Sequence, residues 1–356
     1  MKFSPTIAAL AASLPAVSAT IYFAGVAQSS GEFGAWSPTQ TRGTGLPGRF
    51  GVDYAFISNS GVDTMIDTHK VNLHRVAFLL ERMYAILDPH NYMRYNDPSS
   101  QPFSGSVIGN TSDPTAVTTA QFAAFWGELA RRFADNEKVL FGLMNEPHSM
   151  PSQLVFDNLQ AAITAIRATG AKNMIITPGN NWSGGHYWTK GGDEANSKWI
   201  HKLVDPIKNL AVDIHEYLDE DFSGSHLACT QDPVPNLVGV TSWLRHHGLK
   251  AFITEFGGSN TTECVGMLNG FLDYMNENEE YIGWTAWAAG PFWGPNSPCC
   301  TDQRQYGSLE PGSKASDGGP GLYDTVWLPV ISKKVPTKLQ WSGPANVTGG
   351  VLTERV

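Results

Sequence analysis

Charge is scarce in this chain, and positive charge is scarcer still. Of 356 residues 16% are charged, and 24 Lys and Arg against 33 Asp and Glu leave a formal net charge of −9. Affinity for a phosphate backbone or an anionic bilayer rests on clustered Lys and Arg, so nucleic acid and membrane are disfavoured as partners and a neutral substrate fits better. Cysteine is sparse too. The four residues Cys229, Cys264, Cys299 and Cys300 are joined by no second Cys or His pair at ligand spacing, which makes a zinc reading weak. Past the N-terminus no apolar stretch is long enough to cross a bilayer. There is no internal repeat and no linker to a second folded module; Ser308 to Gly321, rich in Gly, Ser and Pro, reads as a loop.

What the chain does contain is globular and aromatic. A hydrophobic content of 42% excludes disorder. Eleven tryptophans are present; most are expected in the core, but a flat indole face also packs against the C–H face of a sugar without needing charge. Met1-Lys2 followed by Ile7, Ala8, Ala9, Leu10 and Leu14, ending in Ala16, Ser18 and Ala19, has the form of a secretory leader, so residues 1–19 are expected to be removed and the mature protein to be extracellular. In that oxidising compartment cysteine pairing is the default. Three connectivities are possible; Cys229 with Cys264 is preferred, leaving Cys299 and Cys300 as a vicinal disulfide or free thiols. Asn110, Asn181, Asn260 and Asn346 each open a glycosylation acceptor triplet.

Short apolar runs alternate with helical patterns, as in a parallel sheet with crossover helices. Eight runs stand out: Ile21 to Val26, Asn72 to Phe78, Tyr84 to Asp88, Val139 to Met144, Met174 to Thr177, Ala211 to His215, Ala251 to Thr254 and Ile282 to Trp287. Thr118 to Phe133, Ser152 to Ala168, Asn236 to His247 and Glu263 to Met275 carry apolar residues at helical spacing. The expected fold is an α/β (β/α)₈ barrel over residues 20–335, with 336–356 as an irregular tail. One place breaks the pattern. Only Leu79 to Met83 separate Phe78 from Tyr84, too few for the dozen or so residues of a parallel crossover. Leu73, Val76, Ala77, Leu80, Met83, Tyr84 and Leu87 also follow helical spacing, so this segment could be a single helix; two strands with the helix between them absent or distorted is the preferred reading.

In such a barrel, polar residues past the C-terminal strand ends meet at one mouth. Those places hold Arg75, His90, Asn145, Glu146, Asn180, His215, Tyr217, Glu255 and Trp287. Glu146 and Glu255 each follow an apolar strand directly, where burying a carboxylate is costly unless it is paired or used. Two such groups flanking a glycosidic bond, one protonated and one ionised, are what retaining hydrolysis requires. The alternative is that each caps a following helix. Glu216, between His215 and Tyr217, should turn to the other face of its strand and play no catalytic part.

Gly142-Leu143-Met144-Asn145-Glu146-Pro147-His148 and Ile253-Thr254-Glu255-Phe256-Gly257-Gly258 resemble the two signatures of glycoside hydrolase family 5, particularly its fungal endo-β-1,4-glucanase branch. Leu87-Asp88-Pro89-His90-Asn91-Tyr92, Ile214-His215-Glu216-Tyr217-Leu218-Asp219 and Gly283-Trp284-Thr285-Ala286-Trp287-Ala288-Ala289-Gly290-Pro291 are similar to further motifs in the same order. The resemblance implies a cofactor-free, metal-free retaining cellulase, expected as a monomer acting on β-glucan, with Glu146 as acid/base and Glu255 as nucleophile. It implies that Asn145 bonds the sugar 2-hydroxyl, Arg75 and Tyr217 keep Glu255 ionised, and His215 holds or relays the proton of Glu146. His90 would contact the sugar being cleaved, and Trp287 would be its platform. Trp182, Trp188 and Trp293 could line outer subsites or pack in core and loops. The short stretch before Tyr84 departs from the family pattern: either one barrel helix is absent, exposing an apolar flank, or the coding sequence has lost a segment. Runner-up readings are a β-mannanase or xyloglucanase of the same fold, or an inactive sugar-binding protein.

Overall fold

The computed structural model describes residues 21–28, 58–76, 83–95, 105–290 and 306–349. Eight parallel strands close into a barrel: β1 (Phe23–Gln28), β2 (Leu73–Val76), β3 (Tyr84–Leu87), β4 (Val139–Gly142), β5 (Ile175–Thr177), β6 (Leu210–Tyr217), β7 (Ala251–Gly257) and β8 (Tyr281–Ala289). Each strand neighbours the next, and β8 returns to β1. All eight apolar runs read from the sequence are strands, and the segment around Tyr84 forms two of them rather than one helix. Leu73 pairs with Tyr84 in register, so β2 and β3 are true parallel neighbours joined by residues 77–83 alone. That link is shorter than a parallel crossover takes. Residues 1–19, expected as a leader, and Trp293, Cys299 and Cys300 lie outside the described residues.

Outside the barrel lie α1 (Asn59–Asp67), α2 (Thr119–Phe133), α3 (Ser152–Ala168), α4 (Pro233–His247) and α5 (Thr262–Glu277). Their limits follow from capping chemistry. Thr118 and Gln121 form a reciprocal capping box at the start of α2. Asp232 caps α4, with Pro233 at the first helical position where a missing N–H costs nothing, and Gly248 ends it in the left-handed conformation. The sequence reading has no counterpart for α1, although Val62, Met65 and Ile66 stand at helical spacing and are buried; Ser58 caps it by accepting from Gly61 N.

Strand alternation divides the apolar residues into two layers. Phe23, Leu73, Tyr84, Leu140, Met174, Phe252 and Ile282 fill the lumen. Ala24, Val26, Val212, Ile214 and Ile253 point outward among the helices, against Trp126, Leu159 and Leu268. Gly283 makes room for the lumen stack: a Cβ there would lie 2.3 Å from the Phe252 ring, which stacks on Phe23 at 5.6 Å.

Residues 336–349 have no helix or strand, yet they close the floor of the barrel. Asn72 Nδ2 donates to Gln340 O (2.6 Å), Tyr84 OH to Gly343 O (2.7 Å) and Asn209 Nδ2 to Ala345 O (3.1 Å), while Leu339 and Ala345 are buried. Asn72 is the hub. Its Oδ1 accepts from Ala24 N and its Nδ2 also donates to Tyr22 O. Asn72→Ala should deprive Ala24 N and Gln340 O of their side-chain partner, while Tyr22 O keeps Gln340 N, costing about 2–3 kcal/mol; urea unfolding should show the lower midpoint with an unchanged slope.

Candidate active site

The mouth is built by the C-terminal ends of the strands, and the chain reaches it by simple parity. On β6, Val212, Ile214 and Glu216 face outward, so Asp213, His215 and Tyr217 face inward. On β7 the pairing partner jumps from Ile253 to Glu255 as β6 passes from Ile214 to His215. This bulge accommodates Thr254 and Glu255 as consecutive residues that both bond groups of the inward β6 row, a recurrent way for strands to re-aim side chains near active sites.

Glu255 is held on three sides. Arg75 Nη1 donates to its Oε1, Tyr217 OH donates to its Oε2 (2.8 Å), and His215 Nδ1 lies 3.6 Å from Oε2. Arg75, only 4% exposed, also donates through Nη2 to Asp88 Oδ2 (2.8 Å) and Asn145 Oδ1 (2.5 Å). Asn145 in turn donates to His90 Nε2 at 3.1 Å.

Glu146 sits opposite, on a left-handed backbone (φ 42°) just past β4. Such a conformation costs a non-glycine residue about 1–3 kcal/mol and persists where its surroundings over-determine it. Here the preceding amide, Asn145 N, is fixed to Pro89 O at 3.0 Å. Glu146 Oε1 meets His215 Nδ1 at 2.8 Å. The other ring nitrogen, Nε2, meets Thr254 Oγ1 at 2.9 Å, and Thr254 spends its single hydroxyl proton on Asp213 Oδ1 (2.5 Å). Thr254 therefore accepts from His215, and Nε2 carries hydrogen. Donor atoms of Glu146, His215 and Glu255 all lie within 4.8 Å of one another.

These surroundings push the two carboxyls apart. Burial raises Glu146 above the usual carboxylate range and the charge of Glu255 raises it further, against the opposing pull of His215. For Glu255 burial also pushes upward, but the positive charges of His215, Arg75 and His90 outweigh it and hold the group at about 2. Burial works against the charge of His215, yet Glu255 and Asp213 carry it well above the ordinary imidazole range. The result is one carboxyl biased toward the acid and one toward the anion.

A chain of aromatic and imidazole rings runs from Trp287 to Trp182. Trp287 stacks on His90 (5.5 Å), His90 meets Tyr92 edge-on (5.6 Å), Tyr92 meets His148 edge-on (5.6 Å), and His148 stacks on Trp182 (4.5 Å, 8°). Trp182 is 49% exposed, whereas Trp188 is fully buried and belongs to the core. The eight residues to which the resemblance gives roles thus lie at this mouth, whereas Asn180, also expected there, is buried and donates to Met150 O (2.7 Å) and Ser152 Oγ (3.1 Å). Asp88, Asp213, Thr254, Tyr92 and His148 complete it and were not singled out, although the two-residue period on β6 already placed Asp213 on the face of His215. Cys229 and Cys264 are bonded, as preferred above, tying the loop after β6 to the start of α5.

Two groups of side chains among the described residues could hold a cation. In the first, Glu146, His215 and Glu255, Arg75 already places a positive charge on Glu255. In the second, Asp219, Asp221 and His226, Asp219 accepts from Gly224 N, Ser223 Oγ and His226 N and organises its own loop.

A closed (β/α)₈ barrel with two strand-end glutamates in unlike environments is an arrangement suited to glycoside hydrolysis. Residues 51–292 match the family model described as cellulase (glycosyl hydrolase family 5), and the chain belongs to that family. It is 64% identical over 379 aligned residues to Endoglucanase 1 of Robillarda sp. (strain Y-20), the match covering 98% of each chain. It is 34% identical to Endo-β-1,4-glucanase A of Emericella nidulans, over 76% of this chain and 87% of the relative. Among solved structures, XacCel5A in complex with cellopentaose superposes with a TM-score of 0.70 at 32% identity, covering 89% of this chain and all of the other. An endo-β-1,4-glucanase from Xanthomonas axonopodis pv. citri gives 0.70 at 29%, covering 88% and 98%. The Robillarda alignment, at 379 positions, is longer than this chain of 356, so that relative carries residues with no counterpart here.

Replacing Arg75 by Met removes one of the cations that hold Glu255 ionised. The Glu255 pKa should rise from about 2 toward or past the ordinary carboxylate value, as read from carbon-13 NMR titration of labelled glutamate.

Proposed function

We propose that this chain is a secreted endo-β-1,4-glucanase that cleaves internal bonds of cellulose and related β-glucans with retention of configuration. Glu146 is the acid/base and Glu255 the nucleophile. The single observation that carries this reading is the close approach of the two carboxyls, within 4.8 Å through one oxygen each, in environments that drive their proton affinities in opposite directions. A gap near 5 Å suits direct attack on the anomeric carbon and leaves too little room for the intervening water of an inverting enzyme.

In the first step Glu255 attacks the anomeric carbon while Glu146 gives its proton to the departing glycosidic oxygen. In the second, Glu146 takes a proton from water, which displaces Glu255 and releases the sugar. Arg75 and Tyr217 orient the nucleophile and keep it charged. His215, fixed through Thr254 and Asp213, presents Nδ1 to Glu146 and stabilises it each time it becomes anionic. Asn145, braced between Arg75 and His90, lies where a sugar 2-hydroxyl would pass, and a bond there gains strength as charge develops. Trp287 carries the donor sugar. Trp182 stands beyond Glu146 on the opposite rim and serves as a platform for the acceptor side of the glucan. Export by the leader, residues 1–19, accords with the disulfide. The neutral, aromatic floor of the cleft and the negative net charge suit an uncharged polysaccharide.

Glu255→Gln should lower hydrolysis of cellopentaose by about three orders of magnitude or more. Glu146→Gln should do the same with cellopentaose, but with β-cellobiosyl fluoride, whose leaving group needs no acid, it should give a rapid burst of fluoride followed by slow turnover. Equal loss on both substrates in Glu146→Gln, or inversion of the product anomer by NMR, would overturn the assignment. The pH profile follows from the same pair. Activity requires Glu255 ionised and Glu146 protonated, so kcat/KM should fall on the acid side as Glu255 gains a proton near pH 2. It should fall on the alkaline side as Glu146 loses its proton above the ordinary carboxylate range.

A further inference from the structure

Glu216 lies between two residues of the mouth and faces away from it, toward the helical layer. A surface role is excluded, since it is 1% exposed. Its Oε1 accepts from Asn236 Nδ2 on α4 at 2.9 Å, and its Oε2 accepts from His186 N at 2.9 Å, with His186 Nδ1 3.4 Å from the same oxygen. The backbone at Gly185 presses on the carboxylate so closely that a Cβ there would stand 2.8 Å from Oε2. No Lys or Arg ion pair reaches this buried carboxylate among the described residues, so it is retained where a neutral residue of similar size would be less costly to bury.

The loop that Glu216 grips is the one that carries Trp182. Asn181, Trp182 and Ser183 all have left-handed backbones (φ 52°, 55° and 58°). Three consecutive non-glycine residues in that region will relax unless the loop is tied down on both sides. On one side Trp182 N donates to Pro147 O at 3.1 Å and Ser183 Oγ to Asp213 O at 2.7 Å. On the other, Gly184 forms a backbone bridge with His215, and His186 is clamped between Glu216 and Phe222, whose ring it stacks on at 3.7 Å and 7°.

We infer that Glu216 is a positioning residue: its carboxylate, held by α4, fixes the loop after β5 and so presents the Trp182 face to the glucan on the acceptor side. The inference rests on the reading of Trp182 as an acceptor platform. Glu216 touches neither substrate nor the reacting carboxyls; it acts through His186 and the strained turn.

The test compares cellopentaose, long enough to reach Trp182, with β-cellobiosyl fluoride, whose one-atom leaving group does not. Glu216→Ala should raise KM for cellopentaose about three- to tenfold while kcat and KM for the fluoride stay within about twofold. Trp182→Ala should give the same split, and the double variant should be no worse than the worse single one. Glu216→Gln should restore near-normal KM, because its amide oxygen can accept from His186 N while Asn236 turns its own amide to accept from the new NH₂. Additive losses, equal losses on both substrates, or Glu216→Ala without effect while Trp182→Ala raises KM would each overturn the role of Glu216. An unchanged KM in Trp182→Ala would sink the platform reading itself and this inference with it. If Glu216→Ala gives no native near-ultraviolet dichroism, Asn236→Ala removes one bond of the clamp and should show the same split at smaller amplitude; an unchanged KM in folded Asn236→Ala would be decisive against the proposal.

Discussion

A guanidinium buried at the end of a four-residue strand is the constraint on which this structure turns. Arg75 cannot lose its charge and cannot reach water, so the barrel must surround it with anions and acceptors. It does so with Glu255, Asp88 and Asn145, contributed by β7 and by the segments following β3 and β4. The same contacts that satisfy the cation set the ionisation of Glu255, align Asn145 and fix where the segment carrying Asp88 and His90 begins. Stability and chemistry are one arrangement here, because neither the arginine nor the glutamate could be buried alone.

From that centre a second line of contacts runs the other way. Asp213, Thr254, His215 and Glu146 form a chain of hydrogen bonds in which each donor has a defined acceptor, so the imidazole orientation is not free to change. Glu146 ends this row, whereas Glu255 lies beside it with the Arg75 charge upon it, and their unlike proton affinities come from neighbours rather than from different depths of burial, since both are largely withdrawn from solvent.

Much of this was legible in the residues. Strand runs such as Phe252-Ile253 and Leu140-Phe141 are short, apolar and bounded by polar motifs, and a barrel converts their ends into one site without further information. The order of motifs then assigned neighbours that are far apart along the chain. What could not be read were features set by three-dimensional adjustment. The bulge that lets Thr254 and Glu255 both serve the site depends on the register of two strands, and α1, only nine residues long, shows its spacing in just Val62, Met65 and Ile66. Trp188 and Trp182 lie in one loop and carry identical side chains, yet one is core and one is rim; only packing separates them. Glu216 was correctly placed on the outer face, but parity alone does not reveal that the outer face of β6 grips the loop bearing Trp182.

The floor of the barrel has a temporal implication. Asn72, Tyr84 and Asn209 belong to or precede the second, third and sixth strands of the barrel, yet their partners are backbone carbonyls of residues 340–345, which a ribosome delivers only after the eighth strand. Before that stretch is made, the side chains of Asn72, Tyr84 and Asn209 lack these acceptors, so this end of the barrel is sealed only after the segment following the eighth strand has docked, not strand by strand.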